Sequence, residues 1–159
     1  MTSKTGKTNA IRQIENKQLY YRYFAFEEQV KTAQDMATLL NEPAAKVFKT
    51  LVTVSNRNSH YVFMVPSDSE LDLKKAAAVV GEKSVRMIAS QELFPLTGYI
   101  HGGCSPVGMK RSFITVIDSS CEHFIEIYFS AGRPGCQVLM RTKALIDAFD
   151  IGQADIVKA

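Results

Sequence analysis

The stretch Gly98-Tyr99-Ile100-His101-Gly102-Gly103-Cys104-Ser105-Pro106-Val107-Gly108 carries four of the nine glycines in a chain of 159 residues. Glycine opens positive φ and close backbone approach, and Pro106 fixes its own φ while restricting Ser105 before it. Such a run is neither a regular helix nor a central strand. It reads as a shaped loop. Two uses fit it: a tight connection between strands, or a cradle that offers backbone N–H groups to an anion or a carbonyl.

The segments on either side of this loop are short. Upstream, Val47-Phe48-Lys49-Thr50-Leu51-Val52 is an apolar run broken by a lysine. Period two puts Lys46, Phe48 and Thr50 on one face of a strand and Val47, Lys49 and Leu51 on the other. A lysine among apolar neighbours either snorkels, lines a cavity or guards an edge. Lys46 to Ser55 and His60 to Val65 read as a hairpin around the polar turn 56–59. Before it, Ala10, Ile11 and Ile14 mark a short helix capped by Thr8. The aromatic run Leu19 to Phe26 favours a strand, whose rings either pack or stack on bases. Thr32 to Asn41 reads as a helix stopped at Pro43.

Between the hairpin and the loop, Asp72 to Val80 reads as a helix closed by Gly81, Val85 to Ile88 as a strand, and Ser90 to Leu96 as a short helix. Beyond the loop, strands are expected at Phe113 to Ile117, Phe124 to Phe129 and Gln137 to Met140. A second glycine turn, Ser130 to Gly135, separates the last two. Thr142 is expected to cap a helix to Phe149, and 155–159 is a tail that docks. This is no regular βαβ alternation, so a doubly wound sheet is disfavoured. The expected fold is α/β (α+β): a curled mixed, largely antiparallel sheet or barrel with peripheral helices, in one domain over 1–159.

The net charge is +3, and all of the excess lies before Val80, with 11 basic against 8 acidic residues and 8 of each after it. That permits a polyanionic partner without requiring one. No apolar run approaches the length of a membrane span. Residues 1–7 are polar and basic and read as a frayed terminus. No apolar segment follows them, so no export signal is expected and the chain is placed in the cytoplasm. Three dispersed cysteines and three dispersed histidines do not form a zinc pattern, and reduced thiols are expected. The phosphate-loop motif fails because Met109 stands where its lysine would be. There is no Gly-x-Ser-x-Gly elbow. Ser105 and His101, or Cys104, would need partners that sequence spacing alone does not supply. A lysine with oriented N–H groups remains, suited to holding an ester, carboxylate or phosphate and stabilising developing negative charge.

Val47 to Val52, Leu71-Asp72-Leu73-Lys74-Lys75, Val85-Arg86-Met87, Thr97 to Gly108 and Ile127 to Arg133 occur in an order that resembles the YbaK/EbsC family of aminoacyl-tRNA deacylases. That family is similar to the editing domain inserted in bacterial prolyl-tRNA synthetases. The resemblance implies an enzyme that clears Cys-tRNA(Pro), and to some extent Cys-tRNA(Cys), by letting the substrate thiol attack its own ester. It implies no cofactor, no metal, no DNA and no membrane, and a transient complex with prolyl-tRNA synthetase. Lys49 matches the essential lysine. Phe26, Thr50, Gly102, Gly103, Pro106, Ser130 and Gly132 match positions around the substrate. Relatives often carry tyrosine in place of Phe26, the segment 27–31 is shorter than in many of them, and Arg133 stands alone where two basic residues are usual. The alternatives are a hydrolytic Ala-tRNA(Pro) deacylase and a non-catalytic module that binds tRNA or a synthetase.

Overall fold

The computed structural model describes residues 6–27 and 32–159. Most of the short segment 27–31, and the first five residues of the expected frayed terminus, lie outside them. Helix α1 (Asn9–Asn16) starts where the Thr8 hydroxyl accepts the Ile11 N–H, and it buries Ala10, Ile11 and Ile14. After β1 (Arg22–Ala25), α2 (Ala33–Leu40) opens on a capping box in which Thr32 and Asp35 each take the other's backbone N–H. Strands β2 (Phe48–Ser55) and β3 (His60–Pro66) form the expected hairpin. Helix α3 (Leu73–Val79) is capped by Asp72, and β4 (Val85–Met87) and α4 (Leu93–Thr97) lead into the glycine loop. Strands β5 (Ile114–Asp118), β6 (Glu126–Ser130) and β7 (Cys136–Arg141), helix α5 (Thr142–Phe149) and strand β8 (Gly152–Ala154) complete the chain.

The expectation of one curled sheet or barrel is corrected. The strands divide into an antiparallel sheet in the order β1-β7-β6 and a mixed sheet in the order β4-β2-β3-β5-β8. In the second sheet β4-β2-β3 are antiparallel, whereas β3-β5 and β5-β8 are parallel. Among the described residues, a single parallel bridge, Val47 to Tyr128, joins the two sheets. Alternating hydrophobicity marks a strand but not its partner, so the split was invisible in the pattern. Apolar cover on both outer faces explains it. Helix α2 sets Met36 and Ala37 against Tyr128 and Leu139, and α3 sets Ala76 and Ala77 against Phe63 and Val65. The main core lies between the sheets, where Phe48, Val52, Met64 and Ile117 meet Ile127, Phe129, Val138 and Met140. No helix among the described residues is long and apolar enough to cross a membrane.

Three local expectations shift. Strand β8 was not expected, because three residues including a glycine carry no strand signal; pairing with β5 defines it. The expected segment from Ser90 is helical, opening as a 3-10 turn (Ser90–Glu92) that runs into α4, but the Ser90 hydroxyl does not cap it. The Glu92 carboxylate accepts the Ala89 N–H instead. Thr142 is the first helical residue rather than the cap, and its hydroxyl donates to the Phe124 carbonyl. The tail docks: the Ile156 carbonyl accepts the Asp72 N–H, and Ile156 is fully buried.

The start of α1 staples both glycine turns. Asn9 donates from its side chain to the Gly108 carbonyl at 2.8 Å, and the Thr8 hydroxyl donates to the Ala131 carbonyl. Between them lies Tyr99, buried, its hydroxyl donating to the Val107 carbonyl at 2.6 Å. Gly108 sits at φ 81°, and a β-carbon there would stand 2.8 Å from Asn9 C, Ala10 N and the Tyr99 oxygen. Gly81 has a similar φ of 73° but open space around it. Gly81→Ala is therefore expected to cost about 1 kcal/mol, and Gly108→Ala about 3 kcal/mol or more because backbone must also move. Urea unfolding of both variants checks this, and equal losses would contradict the clamp.

Candidate active site

Strand β4 pairs with β2 only from Thr53 to Ser55, with one further bond from the Ile88 N–H to the Val52 carbonyl. Before Val52 that edge of β2 has no strand against it until Val47, which bridges to Tyr128 of β6. No further pair follows the bridge, and a cleft of about 610 Å³ lies against the unpaired stretch. Strand backbone groups alternate between edges, so the Thr50 N–H and C=O point the same way as those of Val52, into the cleft.

Lys49 and Thr50 line this cleft from opposite faces of β2. Lys49 shares its face with Leu51, opposite Val65, as the period predicts. It is half-buried and makes no ion pair with the described residues. Its nearest electrostatic effect is on Glu70 at the cleft rim. The hydrogen bond from Lys158 holds that carboxyl below its usual range, and the Lys49 charge adds to this. Thr50 lies on the Phe48 and Val52 side, and its hydroxyl oxygen is buried without a partner among the described residues.

The glycine loop contributes His101, Gly102 and Cys104 to the cleft wall. Gly102 is at φ 85°, and a β-carbon on it would meet nothing within 4 Å of the protein. Gly103 serves packing instead. A β-carbon there would stand 2.6 Å from Pro134 Cδ, so its absence lets the two glycine turns touch. From the second turn, Ser130 lines the cleft, its oxygen accepting the Gly132 N–H at 3.1 Å. Gly132 itself lies under the Tyr99 ring, outside the cleft. Pro106 faces a smaller cavity of about 260 Å³ on the other side of the loop. Phe26 packs on the cluster beneath α2, and its N–H donates to the Gly135 carbonyl at 2.9 Å. Arg133, the lone basic residue of its turn, donates to the Gly6 carbonyl at 2.7 Å.

The cleft thus brings Lys49, Thr50, Gly102 and Ser130 together, while Phe26, Gly103, Pro106 and Gly132 stand behind its walls. Sequence reasoning missed Gln137, the turn from Ser67 to Glu70, and the first turn of α2, all of which line it. Gln137 had a readable signal, a polar residue inside an apolar strand, like Lys49. The turn had none.

Among the described residues, Cys104, Cys121 and Ser105 are not poised as nucleophiles. Burial pushes the Cys104 thiol up to about 12 and the Cys121 thiol to about 11. A thiol needs its thiolate to attack. Ser105 is fully buried and its oxygen accepts the Val107 N–H at 3.3 Å, whereas His101 is exposed. Among the described residues, no group of three His, Cys, Asp or Glu could hold a metal ion.

Residues 27–148 match the aminoacyl-tRNA editing domain. Over 142 residues the chain is 39% identical to EbsC of Enterococcus faecalis, a candidate Cys-tRNA(Pro)/Cys-tRNA(Cys) deacylase, covering 88% of this chain and 87% of that protein. Over 96 residues it is 31% identical to the proline–tRNA ligase of Fervidobacterium nodosum, covering 60% of this chain and 17% of the ligase. The crystal structure of a candidate trans-editing enzyme for prolyl-tRNA synthetase superposes with a TM-score of 0.84 at 24% identity, over 95% of this chain and 96% of that one. A hypothetical protein of known structure gives a TM-score of 0.88, also at 24% identity, over 95% of this chain and all of that one. At such identities the two structures speak for the fold. The chain belongs to the aminoacyl-tRNA editing domain family. Within it, the chain is YbaK/EbsC-like and closely related to the editing domain of prolyl-tRNA synthetase.

The buried thiols give a direct check. Labelling with a thiol reagent at pH 8 is expected to be slow at Cys104, Cys121 and Cys136 in the folded protein and fast after unfolding. Immediate modification of Cys104 in the folded state would restore it as a nucleophile.

Proposed function

We propose that this chain is a trans-editing deacylase that clears Cys-tRNA(Pro). The observation that carries the reading is a cleft with a cation and free backbone edge but no activated side-chain nucleophile. The attacking group then comes from the substrate. The cysteinyl sulfur, losing its proton, bonds to its own ester carbonyl carbon. The bond from that carbon to the ribose oxygen breaks, the oxygen takes a proton, and tRNA and a cyclic thiolactone leave.

The protein's part is geometry and charge. Holding thiol and carbonyl in attack position converts a rare encounter into a frequent one. Lys49 contacts the terminal nucleoside or its phosphate and steadies the charge that develops at the ester. Gly102 lets the aminoacyl group approach the loop backbone, with Thr50 and Ser130 completing the wall. Phe26, Gly103, Pro106 and Gly132 act from behind, by fixing the two turns. Arg133, occupied with the N-terminal segment, leaves tRNA choice to the wider basic surface or to a transient complex with prolyl-tRNA synthetase. The enzyme works in the cytoplasm beside translation and needs no cofactor.

Deacylation of cysteinyl-, alanyl-, seryl- and prolyl-tRNA(Pro) by the wild type and by Lys49→Ala tests the reading. The wild type is expected to prefer cysteine. The variant should fold normally and lose on the order of a hundredfold or more in rate, the usual cost of removing a group that stabilises developing charge. A preference for alanyl-tRNA(Pro) would favour the hydrolytic alternative. Full activity of Lys49→Ala would remove the lysine from the mechanism. Gly102→Ala is expected to slow single-turnover deacylation while leaving tRNA affinity within about twofold, because strain at its φ, not a clash, displaces the loop. The reverse pattern would make this loop a tRNA contact only.

A further inference from the structure

Three buried side-chain oxygens lack a hydrogen-bond partner among the described residues: Thr50 Oγ1, Ser120 Oγ and Gln137 Oε1. Two of these three residues line the same cleft. Buried polar atoms are nearly always paired, and an orphan costs stability. Their coincidence at one cavity calls for a reason.

Gln137 is the sharper case. Its neighbours on β7, Cys136 and Val138, belong to the core between the sheets. Gln137 therefore projects from the other face, level with Ser130 on β6 and Phe24 on β1. Its side is the one covered by α2, whose first turn, Thr32 to Gln34, also lines the cleft. Only 9% of the residue is exposed. An apolar side chain would fill that position at no polar cost. An amide oxygen only accepts, so what satisfies it must donate. The last torsion of glutamine is soft, so the oxygen turns toward the cleft without backbone movement.

On the deacylase reading above, the occupant is an aminoacyl ester. Its strongest donor beside the carbonyl is the α-ammonium. We propose that Gln137 is a specificity-determining residue: its side-chain oxygen accepts a hydrogen bond from the α-ammonium of the bound aminoacyl group. Two carboxylates also line the cleft, but Asp68 and Glu70 are exposed and Glu70 is bound to Lys158 at 2.9 Å. Water screens them, whereas Gln137 reads the ammonium in a dry place. The consequence is functional. Esters whose amine is acylated, as in peptidyl-tRNA, offer no ammonium and are spared, so the site removes single amino acids without attacking growing chains.

The test compares a non-cleavable, amide-linked cysteinyl adenosine with its 3-mercaptopropionyl counterpart, which keeps the thiol and lacks the amine. By titration calorimetry, the wild type is expected to bind the amine-bearing compound at least about tenfold more tightly, the usual worth of a hydrogen bond to a charged group. Gln137→Leu should bind both alike while melting at the same temperature or higher, because an orphan oxygen is gone. Gln137→Glu should keep the preference, and Asp68→Asn should leave it unchanged. Equal binding of both compounds by the wild type, or an undiminished preference in Gln137→Leu, would overturn the assignment. A wild type that shows the preference yet does not deacylate Cys-tRNA(Pro) would count against the deacylase reading alone.

Discussion

Among the described residues, the backbones of the two sheets pair only at one bridge, Val47 to Tyr128, and the site exists because the pairing stops there. Had β2 and β6 continued side by side, the edge carrying Thr50 would be spent on a ladder. Instead it faces a cleft. The termination is enforced from three sides. Strand β6 ends at Ser130, where its hydroxyl oxygen takes the Gly132 N–H and turns the chain. The glycine loop enters the fork from α4, held by Tyr99. Helix α1 then binds both turns through Thr8 and Asn9. The N-terminal helix, distant in sequence, thereby ties the two turns together.

That division of labour sorts the glycines. Gly103 and Gly108 are small because backbone from another segment occupies the space of a side chain. Gly102 is different, with a left-handed φ and open space where a β-carbon would go. In sequence all three belong to one run, and nothing local separates packing from substrate access. The same holds for Cys104, the most conspicuous residue of the loop. Burial pushes its thiol up to about 12, so a motif that invites covalent catalysis is built from a group held in its protonated form.

Much of the fold was legible because its signals are local. The Thr8 cap, the hairpin of β2 and β3 and the face shared by Lys49 and Leu51 all follow from period and capping. What was illegible is long-range. The division into two sheets depends on which outer faces helices cover, and β8 depends on an open edge of β5 rather than on its own residues. The site divides the same way. Lys49 and the glycine loop announce themselves by breaking an apolar run or by composition. The turn from Ser67 to Glu70 reaches the cleft only because β3 ends beside the start of β2. Gln137 was within reach of the same test that found Lys49, a polar residue in a strand that is otherwise core.

The central claim is that this cleft supplies orientation and charge while the substrate supplies the nucleophile. The most direct measurement is single-turnover deacylation of cysteinyl-tRNA(Pro) beside the same tRNA carrying S-methylcysteine. The added methyl group removes the thiol proton and blocks attack at little cost in size. The mechanism predicts rapid loss of cysteine as the thiolactone and essentially no release of S-methylcysteine, even where the two tRNAs bind equally well. Release of S-methylcysteine at a comparable rate would show that water attacks the ester, and would contradict it.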